Sequence, residues 1–276
     1  MSLSLTSTIK LSNGVEMPIY GLGVWKVTDE QEMRGAVKAA LDSGYIHLDT
    51  AEAYDNEQMV GRAVKDFGDR SKLFITTKLA NPNQDRPEEA FEESLEKLQT
   101  DYVDLFLMHW PSPWRGHYVE AWKAMVKIYE SGRAKAIGVS NFNPNHLEKI
   151  LDATGFTPMV NQVERHPLFQ QKELEAYCKN LGIVMEAYSP LGSGHMSEFA
   201  GKLEPIAKKH GKTVAQVILR WQVQTGWVTI PKSVTPSRVK ENANIFDFEL
   251  DSGDLATIAS LDAGIKYLPD ADVATF

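Results

Sequence analysis

Three apolar runs of this sequence end in an ionisable side chain: Asp49, Lys78 and His109. A tyrosine, Tyr54, stands just after the first of them. Brought to one focus, these four groups put an acid, a base and a phenol within reach of one reacting centre. A free phenol, with a pKa of about 10, is a poor acid near neutrality. An ammonium beside it favours the phenolate and lowers that value. Singly, each residue has an ordinary explanation, as a helix cap, a rim charge or a packed ring. Their placement at successive strand ends is what those explanations do not cover.

The elements that must position them follow an alternating pattern. Ile9 and Leu11, then Asn13-Gly14, then Val15, Met17 and Ile19 read as a β-hairpin with a two-residue turn. Strand-like runs then fall at 45–49, 73–78, 103–109, 134–140, 159–164, 183–188, 228–231 and 243–248. Several are almost continuously apolar, as parallel strands covered on both faces are. Helical stripes lie between them: Met59, Ala63 and Phe67 before Gly68; Phe91, Leu95 and Leu98 behind Pro87; Trp122, Val126 and Tyr129 before Gly132; Leu147, Ile150 and Leu151 before Gly155. About eight strand–helix units over about 250 residues predict a (β/α)8 TIM barrel preceded by the hairpin, with residues 1–276 as one domain. Its catalytic groups belong at the C-terminal strand ends. An open dinucleotide-binding sheet is the competitor, but Gly21-Leu22-Gly23 lacks a third glycine and stands ahead of the first expected strand.

A barrel of this kind places phosphate beside its last strands and a short helix N-terminus. Here Lys232 and Ser233 end the seventh expected strand, and Thr235-Pro236 reads as the N-cap and first residue of a helix. Arg238 falls in that first turn, where the helix dipole and the guanidinium both favour an anion.

Three ordered segments resemble the signatures of the aldo-keto reductase superfamily. They are residues 44–51 (Gly-Tyr-Ile-His-Leu-Asp-Thr-Ala) with Tyr54, Asn56 and Glu57; residues 138–142; and residues 230–233 with Arg238, Glu241 and Asn242. The likeness runs from about Ile9 to Asp262, and within the family the chain is most similar to the microbial 2,5-diketo-D-gluconate reductase and prostaglandin F synthase-like subgroup. It implies NADPH-dependent reduction of aldehydes or ketones, with Asp49, Tyr54, Lys78 and His109 as the catalytic set. Hydride addition builds negative charge on the carbonyl oxygen, which needs a proton donor or an oxyanion partner; in the implied set Tyr54 is the general acid, Lys78 assists it, Asp49 orients Lys78 and keeps it charged, and His109 hydrogen-bonds the carbonyl oxygen. By the same resemblance Lys232, Ser233 and Arg238 hold the 2′-phosphate of NADPH, and Glu241 and Asn242 lie near adenine. Ser140, Asn141 and Gln162 bond the nicotinamide carboxamide, and Tyr188 stacks on the ring. Gly23, Ser189 and Leu191 run along the cofactor, with the 189–192 segment following the pyrophosphate. Trp25, Trp110 and Trp114, with Tyr54 and His109, wall the substrate. Ala80 stands where many mammalian relatives carry Trp, and the 111–117 loop and the tail are short, so a permissive site for small or polar carbonyls is expected.

Composition limits the alternatives. The 276 residues carry 29 Lys and Arg against 37 Asp and Glu, a net charge of −8, which disfavours nucleic acid and anionic membranes as partners. No apolar run approaches the roughly 18 residues of a membrane span, and residues 1–10 show no charged segment followed by an apolar one. The lone Cys178 excludes an intramolecular disulfide, suits a reducing cytoplasmic location, and falls in a helix rather than in a nucleophile setting. His47 and Asp49 share a strand face, but no further ligands complete a metal site, so no metal is expected. A small-molecule carbonyl substrate and a monomer are the expectation. A cofactor-sensing regulatory role is the alternative, and the intact set of four favours an enzyme.

Overall fold

The computed structural model describes residues 3–275. Strand β1 (Thr8–Lys10) pairs antiparallel with β2 (Glu16–Pro18), with Ile9 opposite Met17. The hairpin is the expected one, but its loop is longer. The Leu11 N–H donates to the Val15 carbonyl and the Gly14 N–H to the Leu11 carbonyl, leaving Ser12, Asn13 and Gly14 as a three-residue loop. Gly14 takes the left-handed backbone, at φ 91°, while Asn13 uses its side chain, donating to the Lys135 carbonyl at 2.9 Å. A three-residue loop closed by a left-handed glycine is the next commonest way to reverse a hairpin.

Eight parallel strands follow: β3 (Leu22–Gly23), β4 (His47–Asp49), β5 (Phe74–Leu79), β6 (Leu105–Met108), β7 (Ile137–Ser140), β8 (Val160–Glu164), β9 (Val184–Tyr188) and β10 (Val228–Thr229), each beside the next in chain order. The sheet closes on itself, because Tyr20 bridges Thr229 and Gly23 bridges Lys232. The Gly21 and Gly23 N–H groups donate to the Thr229 and Pro231 carbonyls at 3.0 and 3.2 Å. Closure removes the unpaired edges of an open sheet. Helices α1 (Glu30–Asp42), α2 (Glu57–Phe67), α3 (Pro87–Leu98), α4 (Tyr118–Glu130), α5 (Pro144–Thr154), α6 (Lys172–Asn180), α7 (Ser197–His210), α8 (Val214–Gln224), α9 (Pro236–Ala243) and α10 (Ser252–Ala259) connect and follow the strands.

The strand assignment shifts by one. The first barrel strand is Leu22–Gly23, so the expected first strand is the second, and every later one moves up a place. The expected last strand, 243–248, is no strand. Residues 236–243 belong to α9, and the chain then runs as a loop with Ile245 and Leu250 buried. Donors on α8 satisfy the loop's backbone instead of a neighbouring strand: Arg220 reaches the Ile245 carbonyl at 3.3 Å and Gln224 the Leu250 carbonyl at 2.7 Å. Its apolar residues are buried because the loop covers helices.

Strand alternation builds two cores. Phe106 and Met108 face the helices and join Phe91, Leu95 and Leu98 of α3. Leu105 and Leu107 face inward, where they meet Val160 and Val228 together with Leu11 and Met17 of the hairpin region, which plugs the barrel from below. At Gly138 a Cβ would lie 2.5 Å from the Val160 carbonyl oxygen, so only glycine lets β7 and β8 approach there. The helical stripes turn by up to one position from those expected. On α2, Val60, Ala63 and Val64 are buried, and Met59 and Phe67 are only partly covered.

Candidate active site

Above the apolar plug the interior becomes polar. Asp49 ends β4, Lys78 is next to last on β5, and His109 follows β6, so three adjacent strands deliver them to one mouth. The Lys78 ammonium donates to Asp49 Oδ1 at 2.6 Å and to the Thr50 carbonyl at 2.8 Å, and both side chains are buried. Tyr54 closes a short helical turn after β4. Its ring centroid lies 5.1 Å from Lys78 Nζ and 5.5 Å from the His109 ring, which it meets edge-on at 73°. Asp49, Tyr54 and His109 line one cavity of about 1090 Å³, with Lys78 bonded directly beneath.

The protonation states define the roles. Burial, aided by the Lys78 charge, takes His109 down to about 3, so the imidazole is neutral and acts as a hydrogen-bonding group rather than an acid. Tyr54 departs from the sequence expectation. Lys78 does pull its phenol down, but burial is the larger effect, Asp49 and Glu186 add to it, and the net direction is upward. Tyr54 therefore keeps its proton near neutrality. Burial works against charge on Lys78, but Asp49, Tyr54 and Glu186 together hold its pKa above the ordinary lysine value, so it stays an ammonium.

The expected cofactor residues divide into two groups. Gly23, Ser140, Asn141, Gln162, Tyr188, Ser189, Leu191 and Lys232 all line the same cavity. They are wired together before any ligand arrives. Ser140 donates to the Gln162 carbonyl at 2.8 Å; the Asn141 amide donates to the His109 carbonyl at 3.0 Å, and its oxygen accepts from Tyr188 OH at 2.6 Å. A Cβ at Gly23 would stand 2.9 Å from the Ile230 carbonyl oxygen, so closure of the barrel demands glycine at this rim. Ser189 and Ser193 hold left-handed backbones, at φ 49° and 51°, with their hydroxyls bonded at 2.7 Å. Such positions in non-glycine residues cluster at ligand sites. Ser233, Arg238, Glu241 and Asn242 lie past Lys232, in the following turn and on α9, outside the cavity proper. Arg238 and Glu241 are exposed, and Asn242 is buried with its carbonyl accepting from Tyr20 OH at 2.7 Å. Thr235 stands at the N-cap of α9 as expected, without a side-chain capping bond.

The substrate wall matches the expectation only in part. Trp25 and Trp110 line the cavity, and Trp110 packs on Ala271 and Ala274 of the tail. Trp114 does not line it; the ring is 52% exposed beside Arg115. Ala80, expected to leave the site open, is buried outside the lining, its N–H held by Glu52 at 2.9 Å.

Sequence reasoning missed the opposite wall, made by residues 193–197 and by Tyr267, Leu268 and Pro269. Glu164 accepts from the Tyr267 and Leu268 N–H groups at 2.8 and 3.1 Å. The Tyr267 ring stacks on His195 at 4.1 Å and on His166 at 4.8 Å, and its hydroxyl donates to Glu198 at 2.6 Å. This tail has no hydrophobic period to mark it, and its place comes from contacts made far along the chain.

A closed (β/α)8 barrel whose C-terminal mouth carries a protonated phenol, a neutral imidazole and a buried Lys–Asp pair, opening into a large cleft, is the apparatus of an oxidoreductase acting at a carbonyl. The particular family follows from comparison: the pattern of the Aldo/keto reductase family matches residues 19–263, and this chain belongs to that family. It is 49% identical over 268 residues to the methylglyoxal reductase DkgA of Escherichia coli (strain K12), covering 96% of this chain and 97% of that protein. It is 50% identical over 279 residues to the glyoxal reductase of Bacillus subtilis (strain 168), covering 100% of both. Among solved structures, a Gox0644 mutant in complex with NADPH superposes with a TM-score of 0.93 at 43% identity, over 98% of this chain and 99% of that one.

Proposed function

We propose that this protein reduces aldehyde and ketone carbonyls to alcohols with NADPH, and that its preferred substrates are small dicarbonyls. One observation carries the chemistry: the protonated Tyr54 phenol and the neutral His109 ring face one cavity directly above the Lys78–Asp49 pair. The relatives named methylglyoxal and glyoxal reductase support the substrate class.

The cleft fits the cofactor. Its volume of about 1090 Å³ is just above the roughly 300–1,000 Å³ typical of small-molecule sites, as a dinucleotide together with a substrate requires. One end offers amide and hydroxyl groups, the other an exposed Lys232. When bound, NADPH supplies the hydride. Tyr54 then donates its phenolic proton to the carbonyl oxygen, while Lys78 stabilises the phenolate left behind and Asp49 balances Lys78. His109 steers the oxygen by a hydrogen bond. Ser140, Asn141 and Gln162 hold the nicotinamide carboxamide, and Tyr188 packs on the ring. Trp25 and Trp110 with Leu268 give the substrate an apolar wall, and there is no bulky side chain at Ala80 to narrow it. The same reading takes residues 1–276 as one domain that works as a monomer in the cytoplasm. No helix of the described residues is long and apolar enough to cross a membrane.

Two measurements test this. NADPH absorbance is followed with a panel of α-ketoaldehydes, simple aldehydes and keto-sugars. Turnover is expected with the ketoaldehydes first, and tight NADPH binding without oxidation by any carbonyl would point instead to a sensor. The 2′-phosphate assignment is tested separately with Arg238→Ala. Losing one charge-assisted contact of roughly 1.5–3 kcal/mol weakens NADPH binding by about 10- to 100-fold. NADH binding should change by less than about twofold, since NADH lacks the phosphate Arg238 would meet. A variant that still discriminates fully against NADH would remove Arg238 from the site.

A further inference from the structure

Behind the four reacting groups lies a carboxyl group that the reaction as described does not use. Glu186, in the middle of β9, is fully buried in the barrel interior. It pairs in register with Gln162 on β8, so the two side chains stand on the same face of the sheet. Gln162 Nε2 donates to Glu186 Oε2 at 2.8 Å and, across the barrel, to Asp49 Oδ2 at 2.8 Å. An amide nitrogen has two hydrogens, and carboxyl oxygens take both. Turned round, the amide would aim its oxygen at the Asp49 carboxylate, so this orientation is enforced. The atom left over is Oε1, an acceptor, on a residue that lines the cavity.

We propose that Glu186 is a positioning residue: it locks the Gln162 carboxamide with its oxygen free for the nicotinamide carboxamide and, through Gln162, steadies Asp49 beneath Lys78. The inference rests on the reading that Gln162 faces the nicotinamide.

The surroundings of Glu186 give it a second consequence. Its Oε1 has no hydrogen-bond partner among the described residues and stands 3.9 Å from His47 Nε2. His47 bonds Thr76 at 3.0 Å, and burial with the Lys78 charge takes it down to about 3, so it is neutral and offers Glu186 no cation. From β10 the register neighbour is the apolar Val228. The charges it meets are Asp49 and Lys78, with Tyr54 beyond them. Burial first, and then Asp49, push Glu186 up to about 8, against the pull of Gln162 and Lys78. Below that pH the interior holds one ammonium and one carboxylate. Above it Glu186 ionises, and the added negative charge raises the Tyr54 phenol further, making it a weaker acid. Carbonyl reduction therefore declines on the alkaline side through Glu186.

The test compares the parent with Glu186→Gln and Glu186→Leu. In the parent, kcat falls as pH rises through about 8. Glu186→Gln cannot ionise and displaces that fall upward by about one pH unit or more. Glu186→Leu leaves the amide without its second anchor and weakens NADPH binding, read by tryptophan fluorescence, by about tenfold, and Glu186→Gln restores most of the loss. In cofactor-free parent protein, an infrared band of a protonated carboxylic acid disappears through the same pH range and is missing from Glu186→Gln. If Glu186→Leu does not fold, the pH profile and the band decide alone. A Glu186→Gln profile that superimposes on the parent's, or Glu186→Leu with parental NADPH affinity, overturns the proposal and leaves Glu186 a packing residue. A parent that binds no NADPH fails at an earlier step, before any Glu186 variant is compared.

Discussion

Tyr54→Phe lowers kcat by about 10³-fold while the NADPH dissociation constant stays within about threefold, because the lost oxygen serves the developing alkoxide and Lys78 rather than the cofactor. The geometry makes this sharper than a generic acid deletion. The ring that Tyr54 meets edge-on is His109, and burial with Lys78 holds it at about 3. At neutral pH fewer than about one imidazole in a thousand is then charged, so it cannot take over as the acid. Phe preserves the edge-on packing against His109, seen as a 73° ring angle in the parent, so a fold defect does not confuse the result. The pH sign follows from Tyr54 acting as the acid, and its upward shift, set by burial over the opposing pull of Lys78, moves the change to higher pH. Reduction uses the protonated phenol and is favoured at lower pH, whereas alcohol oxidation uses the phenolate and improves as pH rises. Steady-state NADPH oxidation and fluorescence titration of the cofactor check both parts. A Tyr54→Phe enzyme within a few-fold of the parent would remove Tyr54 as the acid.

Lys78→Met is expected to do more damage to the fold than to cofactor binding. The Lys78 ammonium and the Asp49 carboxylate meet at 2.6 Å with 0% and 2% side-chain exposure. Removing one partner of such a pair leaves a buried charge uncompensated and costs about 3–5 kcal/mol. Asp49 responds by taking up a proton. Burial already lifts its carboxyl above the ordinary value, with Lys78 and Gln162 opposing, and losing Lys78 lifts it further. A carboxyl whose folded pKa is raised is least destabilising below its unfolded value, about 3.9, and becomes more so as pH rises toward the folded value. The deficit of Lys78→Met should therefore be smallest in acid and grow toward neutrality. Adding Asp49→Asn removes the orphaned charge, so the double variant should recover about half of the loss, a coupling that additive sites would not show. Turnover falls with Lys78→Met as well, because nothing then stabilises the phenolate. Urea unfolding of both variants at several pH values measures this, and Lys78→Met within about 1 kcal/mol of the parent at neutral pH would show that the pair is not held as described.

The candidate catalytic set was legible because strand ends are. Asp49, Lys78 and His109 each close an apolar run, and strands of a closed parallel sheet are buried on both faces, so their ends stand out against the sequence. The first barrel strand was not legible. Leu22–Gly23 is two residues long and too short for any period to register. It exists because Gly23 can approach β10 and close the ring. The opposite error, at 243–248, has the same origin. Ile245 and Leu250 are apolar because α8 and the core cover them, and hydrophobicity alone does not say whether the covering layer is a sheet or a helix. Trp114 is a third case: an aromatic on a rim loop reads as a wall, but only the path of the loop decides whether it faces the cleft or solvent.

From residue types and order alone, the sequence determined the alternating architecture, the four candidate groups and the strand ends that carry them. These are local properties, written in periods of a few residues. The tertiary structure decided the protonation of those groups, since burial outweighs Lys78 at Tyr54 and strips the charge from His109. It also decided the contact of Gln162 with Asp49, two residues 113 positions apart, and the return of the tail at Tyr267 to wall the cleft. Desolvation depends on everything packed around a group, and a cross-barrel hydrogen bond depends on ring closure, so neither exists until the whole chain has folded.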